Sequence, residues 1–169
     1  MHNMNILIIG ITGLLGSESA RALYKDGHTI RGFSLYELPE GLNLPEDIKI
    51  TYGNYLTISE KELKDLMRGI DALVFAAGLD ERVMTKPPAI ETFNKYNVYP
   101  LEKILKVAKA SGVKHSVILG SYFTHLNETR PNLNLAENHP YIKSRLLQKQ
   151  LAFSFADHNF DVALLELPY

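Results

Sequence analysis

The 169-residue chain contains no cysteine. Disulfides, thiolate catalysis and cysteine-based zinc sites are therefore excluded. Net charge is almost absent too: 18 Lys and Arg stand against 19 Asp and Glu, a formal −1. A near-neutral balance gives no support to nucleic-acid binding by counterion release, so no such partner is expected. No apolar run approaches the roughly 18 residues a membrane helix needs, so no membrane partner is expected either. The start, Met1 to Gly10, has no basic stretch before its short apolar run and no cleavage site after it. That run reads as a strand of the mature fold, and the protein as cytoplasmic. What is present is ordinary for a folded chain: 46% apolar and 22% charged residues. About 100–200 residues usually make one domain, and a chain of this size buries roughly two thirds of its unfolded surface. A single domain over residues 1–169 is expected.

Asn5 to Ile9 is a continuous apolar run ended by Gly10, the pattern of a strand buried on both faces. Leu14 to Asp26 has helical spacing, with Leu15, Ala20, Leu23 and Tyr24 near one side and Gly27 as the stop. Strands follow at Thr29 to Leu35 and Ile48 to Tyr52, separated by a loop rich in Pro and Gly. Ser59 and Glu62 form a capping box for a helix running to about Arg68. Ala72 to Ala76 is another buried strand. Pro87 to Ser111 is helical with a break at Pro100, and its Leu101, Ile104, Leu105 and Ala108 make a core stripe. Val117 to Leu119 is a strand core, and Thr124 to His139 a polar loop. Pro140 opens a helix, where its missing N–H costs nothing, that runs to about His158. Val162 to Leu165 is the last strand. Alternation of this kind implies an α/β fold with a doubly wound parallel sheet, strand order 3-2-1-4-5-6.

Gly10-Ile11-Thr12-Gly13-Leu14-Leu15-Gly16 joins the first strand to the first helix. Glycine here permits a tight turn, a backbone approach to a pyrophosphate, and close helix–strand packing. A strand before and a helix after point to a dinucleotide loop rather than a plain chain reversal.

GITGLLG resembles the GxTGxxG loop of the short-chain dehydrogenase/reductase superfamily, in its extended epimerase/dehydratase-like branch. Other segments agree in order and spacing. Tyr52-Gly53-Asn54-Tyr55 stands where that branch has a Gly-Asp pair beside the adenine. Phe75-Ala76-Ala77-Gly78 resembles its Ala-rich turn, and Asn97-Val98 the Asn-Val of the next helix. Leu119-Gly120-Ser121 stands at the Ser-Ser pair, Tyr141-Ile142-Lys143-Ser144-Arg145 at the YxxSK motif, and Leu167-Pro168-Tyr169 at the Arg-Pro loop. The resemblance implies a Rossmann fold and a cofactor site including Gly10, Thr12, Gly13, Leu14, Leu15, Gly16, Ser34, Asn54, Tyr55, Ala76, Ala77, Gly78, Asn97 and Pro168. It also implies a homodimer through the helices beside strands four and five. Members of that branch continue well past this point, so the chain reads as truncated after the sixth strand, a fragment or a short natural member, with the C-terminal substrate-binding part absent.

The end of the second strand selects the cofactor: an acid there favours NAD, a base NADP. Ser34 occupies it, with Leu35 beside it and Glu37 further on. The missing acid tilts the choice between NADP and NAD toward NADP.

Carbonyl or alcohol chemistry on a nicotinamide needs a proton carrier and a donor to the oxygen. The resemblance assigns these to Tyr141 and Ser121, and places Arg145 at the lysine position. Tyr141 and Arg145, four apart, share a helix face; Lys143 points elsewhere. A guanidinium favours a nearby phenolate, yet is planar, bulkier and always charged. Ser121 alternatively caps the next segment, leaving Tyr122 and Thr124 as hydroxyl donors. Asp80, Glu81 and Arg82 either meet a polar substrate or form a solvated loop. His115, His125, His139 and His158 lack ligand spacing, so no metal is expected. The expected function is an NAD(P)-dependent oxidoreductase or epimerase-like protein acting on a small molecule. The alternative is a non-catalytic dinucleotide-binding or sensing module.

Overall fold

The computed structural model describes residues 3–168. Met1, His2 and Tyr169, quoted above in the opening run and the closing motif, lie outside them. Six strands are joined by helices everywhere but between the second and third: β1 (Asn5–Ile9), α1 (Leu14–Lys25), β2 (Thr29–Ser34), β3 (Lys49–Tyr52), α2 (Glu60–Met67), β4 (Ala72–Phe75), α3 (Ala89–Asn97), α4 (Tyr99–Ala110), β5 (His115–Leu119), α5 (Tyr122–Thr129), α6 (Leu135–Asn138), α7 (Pro140–Ser154) and β6 (Asp161–Leu165). The strands form one parallel sheet in the order β3-β2-β1-β4-β5-β6.

Side chains alternate across a strand, so each central strand feeds two cores. Leu7 and Ile9 of β1 join Leu63 and Met67 of α2, Leu101 and Leu105 of α4, and Ala152 of α7. Ile6 and Ile8 face the other way, onto Ala20 of α1 and Ile30 of β2. This double burial explains the unbroken apolar runs of β1 and β4. The α4 stripe of Leu101, Ile104, Leu105 and Ala108 is wholly core, and the residues left exposed include Glu102 and Lys106. No helix is long and apolar enough to cross a membrane among the described residues.

Local signals hold where they are short-range. Ser59 accepts from the Glu62 N–H while the Glu62 carboxylate accepts from the Ser59 N–H, so the capping box of α2 is complete. Gly27 takes φ 89°, the left-handed turn that ends α1. No helix fills the β2–β3 connection. The loop is instead strapped to α1, with the Tyr24 hydroxyl donating to Asp47 at 3.0 Å and Arg21 to the Asn43 carbonyl at 2.9 Å.

Three expectations need correction. Residues 124–139 are not a polar loop: α5, a 3-10 turn over Pro131–Leu133 and α6 occupy them. Half-buried Phe123, Leu135 and Ala136 pack beside Tyr141 and Ile142 of α7. The helix break falls at Val98, not Pro100; the proline sits at the start of α4, where its missing N–H is not needed. The last helix ends at Ser154 rather than His158, because residues 157–160 turn back in a short bridge before β6.

On the α1 side of the sheet, β6 pairs Ala163 with Val117 and Leu165 with Leu119. Ala163 and Leu165 are exposed there, whereas Val162 and Leu164 pack into the opposite core.

Candidate active site

A cleft of about 500 Å³ opens at the carboxyl ends of the central strands. Its lining comes from the glycine loop (Gly13, Leu14, Leu15), the segment after β4 (Ala76 to Asp80, and Arg82), the end of β5 (Leu119, Gly120), Tyr141 and Arg145 of α7, and Leu167 with Pro168. This is the crevice in which open α/β sheets bind ligands.

The glycine loop is built for close approach. Gly10 has φ 90°, and a Cβ there would lie 2.8 Å from the Ala77 nitrogen. A Cβ on Gly16 would strike the Gly10 carbonyl. No side chain caps α1 and its first turn holds no acidic residue, so its positive end faces the cleft uncompensated. A cradle without side chains at a helix N-terminus fits a pyrophosphate. Thr12 sits behind the loop: its hydroxyl lies 2.5 Å from that of Ser34, and both are buried. Ser34 is therefore turned inward rather than presented at the strand end.

Tyr141 and Arg145 share the cleft as their four-residue spacing requires. Tyr141 is buried, edge-on to Phe93 at 5.6 Å and to Phe123 at 6.5 Å. The Arg145 guanidinium lies 5.9 Å from the Tyr141 ring centroid and donates to the Leu119 carbonyl at 2.6 Å. Its Nη1 would stand 3.3 Å from a Cβ on Gly78, so glycine at 78 keeps space beside the cation. Asp80 grips Arg82 through both carboxylate oxygens, at 2.6 and 2.9 Å. The Arg82 hydrogen bond lowers the Asp80 carboxyl below its ordinary value, outweighing its partial burial, and Arg145 adds to the effect. Lys143 and Glu37 point to solvent.

Besides Thr12 and Ser34, four further expected site residues lie off this lining. Ser121 is buried and caps α5, accepting from the Phe123 N–H at 3.4 Å. Asn97 is fully buried and straps the segment after β4. Its Oδ1 accepts from the Leu79 N–H at 2.7 Å, and its amide donates to the Leu79 carbonyl and to Ser144. Tyr55 is core, edge-on to Phe75, with its hydroxyl donating to the Tyr96 carbonyl at 3.3 Å; burial pushes it up to about 12. Asn54 accepts from the Leu56 N–H at 2.9 Å and lines a separate cavity between α2 and the β2–β3 edge. Of the alternative hydroxyls, Tyr122 is exposed with its ring tilted against His125, while Thr124 is buried against Glu166.

The wall made by Leu79 escaped sequence reasoning, because a single apolar residue after a strand carries no chemical signature. Glu166 escaped it as well. Its carboxylate accepts from Thr124 at 2.6 Å and from Lys149 at 2.9 Å, and Lys149 also reaches Glu128 at 2.6 Å. Among the described residues no group of three His, Asp or Glu is placed to hold a metal.

A doubly wound parallel sheet with a glycine loop at the head of α1 and a cleft at the strand ends defines a Rossmann-type protein. Residues 6–168 match the model of the NAD dependent epimerase/dehydratase family, and the chain belongs to that family. No curated protein matches it in sequence. Among solved structures, it is similar to a short-chain dehydrogenase/reductase superfamily protein from Agrobacterium tumefaciens with bound NAD. That similarity is 22% identity and TM-score 0.70, over 96% of this chain and 48% of that one. It is also similar to a UDP-N-acetylglucosamine 4-epimerase from Methanobrevibacter ruminantium in complex with UDP-N-acetylmuramic acid, at 20% identity and TM-score 0.75, over 98% and 55%. The Bordetella bronchiseptica enzyme WbmH in complex with NAD+ matches at 17% identity and TM-score 0.73, over 99% and 56%. The chain thus spans about half the length of these structures.

Proposed function

We propose that the chain acts as an NAD(P)-dependent oxidoreductase or epimerase-like protein on a carbonyl or alcohol carbon of a small molecule. The observation that carries this reading is that Tyr141 and Arg145 line the same cleft as the glycine loop. Gly10, Gly13 and Gly16, with the N-terminus of α1, would hold the dinucleotide's pyrophosphate. Bound nicotinamide supplies a carrier for a hydride. Tyr141 holds at its hydroxyl the proton that the substrate oxygen gains or loses. Arg145 keeps a permanent positive charge beside that ring and, with Ser121 committed to its cap, takes over polarisation of the substrate oxygen. Leu14, Leu15, Leu79 and Leu167 limit water in the cleft.

The cofactor choice belongs to the same proposal. No carboxylate stands at the end of β2 to repel a 2′-phosphate, so NADPH binds at least as well as NADH, although related structures carry NAD. A homodimer is part of the proposal only through the outer faces of α4 and α7, where Tyr99 and Phe153 are exposed.

Calorimetric titration with NADH and NADPH tests the site, with Gly13→Asp as the variant. Gly13 has ordinary extended φ of −78° and room for a side chain, so the variant folds. Its carboxylate opposes the phosphates, and affinity falls by about tenfold or more. Tyr141→Phe keeps binding and loses about 10²-fold or more in turnover, the usual share of a proton carrier. A second reading, a module that holds the dinucleotide without turnover, is favoured by one observation: no Ser or Thr is among the described residues that line the cleft. Binding with no hydride exchange on any carbonyl substrate decides for it.

A further inference from the structure

Glu166 follows β6 directly and precedes the two residues, Leu167 and Pro168, that wall the cleft. Its side chain is 21% exposed. Two helices hold it. From α5, the Thr124 hydroxyl lies 2.6 Å from Oε1 and 2.7 Å from the Ser121 carbonyl, so its one proton serves either acceptor. From α7, Lys149 donates to Oε1 at 2.9 Å and bridges on to Glu128 at 2.6 Å. His125 Nδ1 stands 3.7 Å from Oε2. Burial by itself pushes the Glu166 carboxyl up, but the bonds from Lys149 and Thr124 prevail and hold it below its ordinary value. Burial likewise opposes the charge on Lys149, and the bonds to Glu128 and Glu166 raise it above its ordinary value. Both partners of this half-buried pair are therefore charged.

The geometry has a direct bearing on the cleft. Tyr141, Arg145 and Lys149 succeed one another at four-residue steps along one face of α7. The first two line the cleft and the third continues the row beneath it. The wall is registered to the end of β5 by backbone bonds alone, Gly120 N–H to the Leu165 carbonyl at 2.7 Å and Tyr122 N–H to the Leu167 carbonyl at 3.0 Å. These bonds fix its height on the sheet. The Glu166 side chain adds a tie to α7.

We infer that Glu166 is a positioning residue: through Lys149 and Thr124 it sets the separation between the Leu167–Pro168 wall and the Tyr141–Arg145 row, and so the grip of the cleft on the dinucleotide. It touches neither cofactor nor substrate. The inference rests on the reading of the cleft as a dinucleotide site.

A double-mutant cycle tests it, read by the dissociation constant and the emission maximum of bound NADH. Glu166→Ala and Lys149→Ala each weaken NADH binding about tenfold and shift the emission toward that of free NADH. The double variant is no weaker than the singles, since both remove one tie. Lys109→Ala is the control for stability alone. It breaks a pair with Asp157 that is 2.6 Å long, more exposed and away from the cleft, and leaves NADH affinity and emission unchanged while lowering the melting temperature. Glu166→Gln keeps an acceptor for Thr124 and Lys149 and recovers most of the affinity. Wild-type affinity in Glu166→Ala, or an equal loss in Lys109→Ala, overturns the inference while leaving the cleft's assignment intact. A wild-type chain that binds neither NADH nor NADPH overturns the assignment and the inference together.

Discussion

Gly16 and Gly13 belong to one motif and answer to different constraints. A methyl group on Gly16 meets the Gly10 carbonyl, which is backbone and cannot swing aside; one on Gly13 meets that oxygen at 3.4 Å, an ordinary contact. Gly16→Ala is expected to lower stability by about 1–3 kcal/mol, as overpacking does. Gly13→Ala leaves the urea midpoint within experimental scatter. Equal midpoints in the two variants would contradict the packing. This loop was legible in the sequence because its demands are local: a strand, a reversal and a helix start within seven residues. Ser34, Ser121, Asn97 and Tyr55 were less so. Each has a side chain that fits a site in chemical type. What decides its role is a partner brought by another element: Thr12 for Ser34, the Leu79 backbone for Asn97, Phe75 for Tyr55. Ser121 is the instructive case, since its partner is only two residues away and the sequence supports capping and catalysis alike.

At the scale of the element, four residues told the start of α2 correctly, and a mostly polar stretch of sixteen misled over residues 124–139. The capping box is a reciprocal pair within one turn, whereas α5 and α6 are short and draw stability from α7, which a local pattern does not display. The capping box makes a pH prediction. Bonds from the Ser59 side chain and backbone hold the Glu62 carboxyl below its ordinary value. Its contribution is complete above the unfolded carboxyl range, near pH 4.3, and is lost as the pH falls through the lower folded value. Ser59→Ala removes about 1 kcal/mol at neutral pH. The variant also loses less stability than wild type between pH 7 and pH 3. Urea unfolding at both pH values measures the difference, and parallel pH curves would rule the box out as a contributor.

At the scale of the whole molecule, the alternation of strands and helices carried the sheet order, because parallel strands need crossovers and crossovers have one hand. What alternation left undecided was the cover on each strand. β1 and β4 are buried on both faces, while β6 is an edge with Ala163 and Leu165 exposed on one side. Stability should follow cover. Amide hydrogens of β1 and β4 are expected to exchange with solvent only through global unfolding, and those of β6 orders of magnitude faster, through local opening. Hydrogen exchange followed by mass spectrometry separates the two; uniform protection across the sheet would show that the edge is held by more than its contacts indicate.

The exposed edge strand is also the strand that runs into Leu167 and Pro168. A wall borne on an edge strand couples two quantities otherwise unrelated, the occupancy of the cleft and the fraying of the sheet. Whatever grips that wall suppresses the opening of β6 in proportion to its affinity. Fraying in turn subtracts from affinity by the fraction of molecules in which the wall has left its place. The edge thereby acts as a thermal governor: warming the protein should loosen its ligand well before the sheet itself melts.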